Sequence, residues 1–228
     1  MLVKNWMSEA VITIDMDDSM DHAMKLLREK NIRMMPVVRK GRLVGVVTDR
    51  DIRTASASKA TSLEVHELAF IISNIKVKEI MTKEPVTVPI DYTVEETAEI
   101  LFNRKINGVP VVDHEGRIAG VITQSDIFRV LISLTGLSKG GIQFAFELED
   151  RPGSIKEVTD VIRKYGGRIS SILGSYDRAR EGHRRVYIRA YGIGMPLTAH
   201  LKKGLNNIAE LLYVVDHQKN EREIYETD

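Results

Sequence analysis

The chain contains no cysteine, which removes disulfides, thiolate metal sites and cysteine nucleophiles together and fits a reducing compartment. Long apolar runs are missing too. Nothing approaches the ~20 residues that span a bilayer, and Met1-Leu2-Val3-Lys4-Asn5-Trp6 lacks the apolar core of a signal peptide. The expectation is a cytoplasmic protein with no membrane partner. Charge of one sign is also scarce: 33 Lys and Arg stand against 32 Asp and Glu, a formal net charge of +1. No broad basic surface therefore argues for nucleic acid. His66-Glu67 begins like a zinc-hydrolase helix, but Phe70 stands where HExxH requires histidine. The Gly136 to Gly141 stretch lacks the spacing and terminal Lys-Ser/Thr of a P-loop and reads as a hinge. No spacing assigns a Ser-His-Asp triad or a carboxylate pair. The expectation is no catalytic residue, no metal and no required cofactor.

The positive signal is an internal repeat. Val3-Lys4-Asn5-Trp6-Met7 aligns with Val77-Lys78-Glu79-Ile80-Met81, and the match runs for about fifty residues with one single-residue gap. Ile32-Arg33-Met34-Met35-Pro36-Val37-Val38 faces Ile106-Asn107-Gly108-Val109-Pro110-Val111-Val112. Gly45-Val46-Val47-Thr48-Asp49-Arg50-Asp51-Ile52 faces Gly120-Val121-Ile122-Thr123-Gln124-Ser125-Asp126-Ile127.

Each copy reads strand, helix, strand, strand, helix. Met20, Ala23, Met24 and Leu27 share one helix face behind Ser19, a plausible cap; in the second copy Thr93 and Glu96 form a capping box. The short strands 35–38 and 43–47 are joined through Gly41, and Gly116 serves the second hairpin. The final helices are expected to open at Asp51 and Asp126. About fifty residues bury such a sheet poorly alone, so the copies should pack as a pair. The segment 58–75 carries enough Leu and Ile to read as a packed helix rather than a loose linker.

After a Gly- and Ser-rich boundary at 135–141 the order becomes βαββαβ, the ferredoxin-like arrangement. Ser154 and Glu157 suggest another capping box, with Ile155, Val158 and Ile162 on the buried face. Arg178, Arg180, His183, Arg184 and Arg185 form a basic run at the hairpin between the second and third strands of this part, read as a solvated turn with partner or nucleic-acid docking as the alternative. Residues 218–228 are charged and are expected to fray.

The sharpest candidate site is the duplicated Thr-x-x-Asp after the last strand of each copy. A helix start favours an anion, Thr48 or Thr123 adds a hydroxyl, and Asp51 or Asp126 offers acceptors for a ribose diol. Taken singly the pattern is a helix cap. Its repetition points to a nucleotide. Arg33, Arg50 and Arg53 in the first copy become Asn107, Ser125 and Phe128 in the second, so the first site suits an anionic tail better, the alternative being that Arg50 and Arg53 are solvated surface charges.

The opening Met, the extended Thr, Pro-Val-Val, hairpin Gly and Gly-x-x-Thr-x-x-Asp, in order in both copies, resemble paired CBS domains (a Bateman module) over residues 1–136. That resemblance implies an adenine nucleotide (AMP, ADP or ATP) as regulatory ligand. Asp51 and Asp126 would hold ribose, and Thr48 and Thr123 would face phosphate beside Arg50 and Ser125. Thr13, Arg33, Met34, Met35 and Pro36, with Thr87, Asn107, Gly108, Val109 and Pro110, would wall the base. Asp150-Arg151-Pro152-Gly153-Ser154 and Arg168 resemble the effector turns of an ACT domain over 142–217. That implies either an amino-acid effector or a dimerisation domain. The whole order resembles the acetoin-utilisation (AcuB) family. The expected fold is multidomain α+β or α/β. Its parts are a CBS repeat (1–58), a helical linker (59–76), a second repeat (77–136), a hinge (137–141), the ACT-like domain (142–217) and a tail (218–228). The implied function is non-catalytic ligand sensing by a homodimer that controls a partner enzyme or pathway. The alternatives are a structural dimerisation scaffold or a regulatory subunit of an enzyme.

Overall fold

The computed structural model describes residues 1–59, 74–193 and 197–225. The first repeat contains β1 (Ile14–Asp15), α1 (Met20–Glu29), β2 (Met34–Arg39), β3 (Arg42–Thr48) and α2 (Asp49–Lys59). The second follows as α3 (Val77–Ile80), β4 (Thr82–Lys83), β5 (Val88–Pro89), α4 (Val94–Arg104), β6 (Gly108–Val112), β7 (Ile118–Thr123) and α5 (Gln124–Leu134). The helix expected over 58–75 lies mostly outside the described residues.

Both repeats use one pairing scheme. The first long strand pairs parallel with the short opening strand (Ile14 with Val37, Val88 with Val111) and antiparallel with the next (Met35 with Val47, Val109 with Ile122). The first hairpin turns through Lys40 (φ 49°) and Gly41 (φ 76°), two left-handed residues in succession as a tight two-residue loop requires. Ser19 Oγ accepts from His22 N at 3.1 Å and starts α1, whose Met20, Ala23 and Leu27 are buried. In α4, Glu96 accepts from Thr93 N at 2.8 Å, while Thr93 Oγ1 accepts from Glu96 N at 3.1 Å, completing the expected box.

The opening segments are exchanged. Ser8 bridges Val121 of the second repeat (N to O 2.9 Å, and Val121 N to Ser8 O 3.0 Å), whereas β4 pairs with β3 of the first repeat (Val46 with Thr82). Val94 N likewise donates to Met1 O at 2.7 Å, and Met20 N to Ile75 O at 2.8 Å. Each repeat's sheet is therefore completed by the other's leader, which the linear order of copies 1–58 and 77–136 does not show.

The chain divides into two compact units, Met1–Phe128 and Arg129–Asp228. The division falls within α5, upstream of the expected hinge at 137–141. The end of this helix belongs to the second unit because Thr135 O accepts from Ser171 Oγ (2.9 Å) and Arg189 Nε (2.8 Å).

The second unit contains β8 (Ile142–Glu149), α6 (Ser154–Lys164), β9 (Arg168–Ser175), β10 (His183–Tyr191), α7 (Leu197–Asn206), β11 (Glu210–Asp216) and β12 (Glu221–Ile224). Its sheet runs β12-β11-β8-β10-β9, which is the ferredoxin-like order with one extra edge strand. Phe144, Phe146, Val158, Ile162, Ile188 and Leu201 fill its core. Three expectations change here. Residues 221–224 do not fray but pair with β11 (Tyr213 with Ile224), since a turn at Asn220 (φ 58°) returns the chain to an open sheet edge. The Ser154–Glu157 box is absent. Gly153, at φ 92°, is the N-cap; Ser154 Oγ donates to Arg151 O at 3.1 Å, and Arg151 takes Glu157. The basic run is more than a solvated turn, because Arg180 and Arg185 reach the buried Glu147 and Arg184 lies 3.4 Å from Asp150.

Candidate functional site

In the first repeat β3 ends at Thr48 and α2 begins at once, two residues earlier than expected. Asp51 Oδ2 accepts from Thr48 N (2.8 Å) and Thr48 Oγ1 (2.6 Å), and Asp51 N donates to Thr48 Oγ1 (3.2 Å). The second repeat repeats the bracket, with Asp126 Oδ2 accepting from Thr123 N (2.9 Å) and Oγ1 (2.7 Å). The Thr-x-x-Asp pair thus caps both helices. Asp51 uses one carboxylate oxygen for this, leaving Oδ1 without a hydrogen-bond partner among the described residues. A half-buried carboxylate with an oxygen to spare is suited to receiving hydroxyl donors.

The strands bring most of the other candidates to these brackets. Met34 pairs with Thr48, and Asp49 N donates to Arg33 O at 3.2 Å, which sets Arg33 beside the start of α2. Gly108 pairs with Thr123, and Gln124 N donates to Asn107 O at 2.9 Å. Gly108 lets Thr123 come close: a β-carbon there would stand 3.0 Å from Thr123 Cγ2. Thr13 and Thr87 precede Ile14 and Val88, which pair with Val37 and Val111, so they lie alongside Pro36 and Pro110. Met35 and Val109 differ. Both are core residues, 0% and 1% exposed, because strand alternation turns them away from Met34 and Gly108. Arg50 and Ser125 are exposed on the first turns of their helices. Arg53 lies 3.0 Å from Asp49, one turn back on the same exposed helix surface. Gln124 was not anticipated; its Nε2 donates to Ile106 O at 3.2 Å and ties the second bracket to the strand before it.

The chain matches the CBS domain family over residues 3–58 and 77–133. It is 36% identical over 134 residues to a CBS domain-containing protein of Dictyostelium discoideum, spanning 58% of this chain and 92% of that protein. The chain belongs to the CBS domain family. A Methanocaldococcus jannaschii protein of unassigned function is 30% identical across 92% of this chain and 87% of its own length, so that likeness extends past the CBS pair. In an inosine-5'-monophosphate dehydrogenase of Korarchaeum cryptofilum the match takes only 22% of the enzyme. Among solved structures, the CBS domain pair of protein MJ0100, in complex with 5'-methylthioadenosine and S-adenosyl-L-methionine, is 33% identical with a TM-score of 0.50. That similarity covers 57% of this chain and 95% of the other. A proposed acetoin utilization protein (AcuB) from Vibrio cholerae shares the fold at 24% identity and a TM-score of 0.51, over 61% of this chain and 96% of its own. The CBS pair therefore accounts for the first unit, and the two brackets sit at equivalent places in its repeats.

The expected effector residues of the second unit do not converge within one chain. Asp150, Arg151, Pro152, Gly153 and Ser154 form one turn at the end of β8, where Glu149 pairs with His183. Arg168 pairs with Tyr191 at the far end of β10, about 25 Å away along the strand. Arg151 is taken internally, donating to Glu149 (2.9 Å) and to both oxygens of Glu157 (2.8 Å each), which drives its pKa up. A cleft of about 210 Å³ lies beside this turn, lined in part by Glu147, Arg151, Ser154, Arg180, His183 and Glu210. Burial pushes the Glu147 carboxyl up, but the hydrogen bonds from Arg180 and the charges of Arg180 and Arg185 outweigh it and hold it below the ordinary glutamate value.

Proposed function

We propose that the CBS pair is a regulatory sensor that binds an adenosine-containing ligand at its Thr-x-x-Asp brackets. The duplicated bracket carries this reading: at two equivalent strand-to-helix junctions a Thr hydroxyl and an Asp carboxylate are fixed beside the residue before an extended strand. The MJ0100 pair, which resembles this one over its length, takes adenosine derivatives. In this reading Asp51 and Asp126 receive ribose hydroxyls and Thr48 and Thr123 face the 5' substituent. AMP, ADP and ATP are the expected ligands, with Arg33 and Arg50 favouring a phosphate at the first bracket.

The further parts of the reading are a non-catalytic, cytoplasmic homodimer whose second unit is ACT-like and takes a small effector at the Asp150–Ser154 turn. It would control a partner enzyme, with acetoin utilisation one candidate pathway. Ligand would act by favouring one arrangement of the repeats over another. Helix α5 is suited to carry that change, since it starts at the Thr123 bracket and leads into Thr135, which Ser171 and Arg189 hold.

A second reading has its own support. Each bracket is a complete helix cap and needs no ligand, as a structural scaffold would require. Thermal unfolding with AMP, ADP, ATP, 5'-methylthioadenosine and S-adenosylmethionine separates the two, using wild type, Asp51→Asn and Asp126→Asn. Asparagine keeps an acceptor for the threonine N–H but binds a ribose diol less well. A ligand at 100 times its dissociation constant should stabilise the wild type by about 2.7 kcal/mol. Loss of that shift in one Asn variant supports the sensor; no shift with any ligand supports the scaffold.

A further inference from the structure

We propose that the end of the second unit's sheet beneath the 135–141 turn binds a small oxyanion, the carboxylate or phosphate group of a free metabolite, on Arg189 and His217. The inference stands apart from the nucleotide reading and from the Asp150–Ser154 turn, which lies at the opposite end of β10.

Arg189 is only 4% exposed, near the end of β10 between the buried Ile188 and Ala190. Its described partners are neutral oxygens: Nε donates to Thr135 O at 2.8 Å and Nη2 to Gln143 Oε1 at 3.1 Å. Among the described residues Nη1 is buried with no hydrogen-bond partner, and so is Nε2 of His217. A buried guanidinium facing only neutral acceptors is a costly arrangement, because desolvation is not repaid by an opposite charge. Among the described residues no carboxylate is directed at it. Asp216, the acid beside His217, accepts from Gln218 N (2.9 Å) and Lys219 N (3.2 Å) and lies 3.7 Å from Lys219 Nζ.

The surroundings are cationic. Arg189 and Val215 pair with Gln143 from its two sides, and His217, two residues past Val215 with its N donating to Gly141 O at 3.1 Å, shares their face of the sheet; burial, then the charges of Arg189 and Arg222, push its pKa down against a smaller opposing pull from Asp216. Arg222 donates to the carbonyl and side-chain oxygens of Asn220 (3.4 and 2.7 Å). Lys139 lies 5.8 Å over the Tyr191 ring, with Arg168 across from Tyr191 in the sheet. An oxyanion would give Arg189 Nη1 the charged acceptor it lacks and could accept from His217 as its Nε2–H tautomer, without that histidine needing a charge. The covering turn suits entry. Gly136, Gly140 and Gly141 all hold positive φ (64°, 65° and 81°), and glycine can shift there at little steric cost.

The test is thermal unfolding of the full chain at constant ionic strength while phosphate, or separately acetate, replaces chloride. Wild type is compared with Arg189→Met, His217→Asn and, as a surface control, Arg178→Ala. The expected result is a saturable rise of roughly 10 °C in the second unit's transition near 100 times the dissociation constant in wild type and Arg178→Ala, lost in Arg189→Met. The arm that saturates at lower concentration identifies phosphate or carboxylate. Should Arg189→Met fail to fold, His217→Asn, which retains both described Arg189 hydrogen bonds, should weaken phosphate binding measured by calorimetry. A non-saturating rise common to every variant would show a general salt effect and overturn the proposal. So would a wild type indifferent to both anions, in which Arg189 is satisfied by water.

Discussion

Met7 of the first repeat packs its sulfur on Gly120 of the second so closely that a β-carbon on the glycine would lie 2.5 Å away. Gly45 and Met81 repeat the relationship in the other direction at 2.7 Å. Both contacts join a leader segment to the sheet of the other repeat, and both need a residue without a side chain.

Gly45→Ala and Gly120→Ala should therefore each destabilise the CBS pair by about 1–3 kcal/mol, the usual cost of overpacking. Gly45→Ala is expected to cost more. Its new carbon would also meet the backbone carbonyl of Thr82 at 2.8 Å, against 3.0 Å for Ser8 O at Gly120, and a carbonyl moves less easily than a methionine. Urea unfolding with an unchanged slope and a lower midpoint checks both.

Thr48→Val and Thr123→Val each remove a hydroxyl that caps a helix and bonds the aspartate three residues on. Each should cost about 1 kcal/mol. Equal losses with no ligand present would show that both brackets are structural caps first; a much smaller loss at one would show that its helix is held by other contacts.

Arg33 and Arg50 flank the first bracket, where the second has Asn107 and Ser125. Transplanting the second set as Arg33→Asn with Arg50→Ser should weaken AMP binding about tenfold or more, the loss of one or two charged hydrogen bonds. Affinity for 5'-methylthioadenosine, which has no phosphate, should stay within about twofold by the same argument. Calorimetry with both ligands reads the difference directly, and equal losses would count against a phosphate role for these arginines.

Glu147 is 6% exposed and held below its ordinary pKa by Arg180 and Arg185 despite its burial. A carboxylate depressed by folding stabilises fully above its unfolded pKa, and that contribution disappears as pH falls through the lower folded value. Glu147→Gln should lower the urea midpoint at pH 7, with the gap to wild type closing below about pH 4.5. A gap that does not narrow as the pH falls below the ordinary glutamate value would assign the effect to packing instead.

The sequence was most readable where local chemistry suffices. Ser19, Thr93 and Glu96 cap the helices that their spacing indicates, and the βαββαβ order of 142–216 follows from alternation and turn residues. It was least readable where a residue's role depends on a distant partner. Ser154 and Glu157 have the spacing of a capping box, yet Gly153 takes the cap and Arg151 the glutamate. Glu147 and Arg189 did leave a trace, a charge with an apolar residue on each side, but alternation cannot name what such a charge meets.

By itself the sequence determined the duplication, the secondary structure of each copy and the position of the two brackets, because these rest on period, caps and turns within a few residues. Only the tertiary structure decided that the leaders are exchanged between repeats, that α5 is shared by the two units, and that the expected effector residues separate to opposite ends of one sheet. Those outcomes depend on which sheet edge lies open for a strand and which buried charge finds a partner, and both are set by residues far apart along the chain.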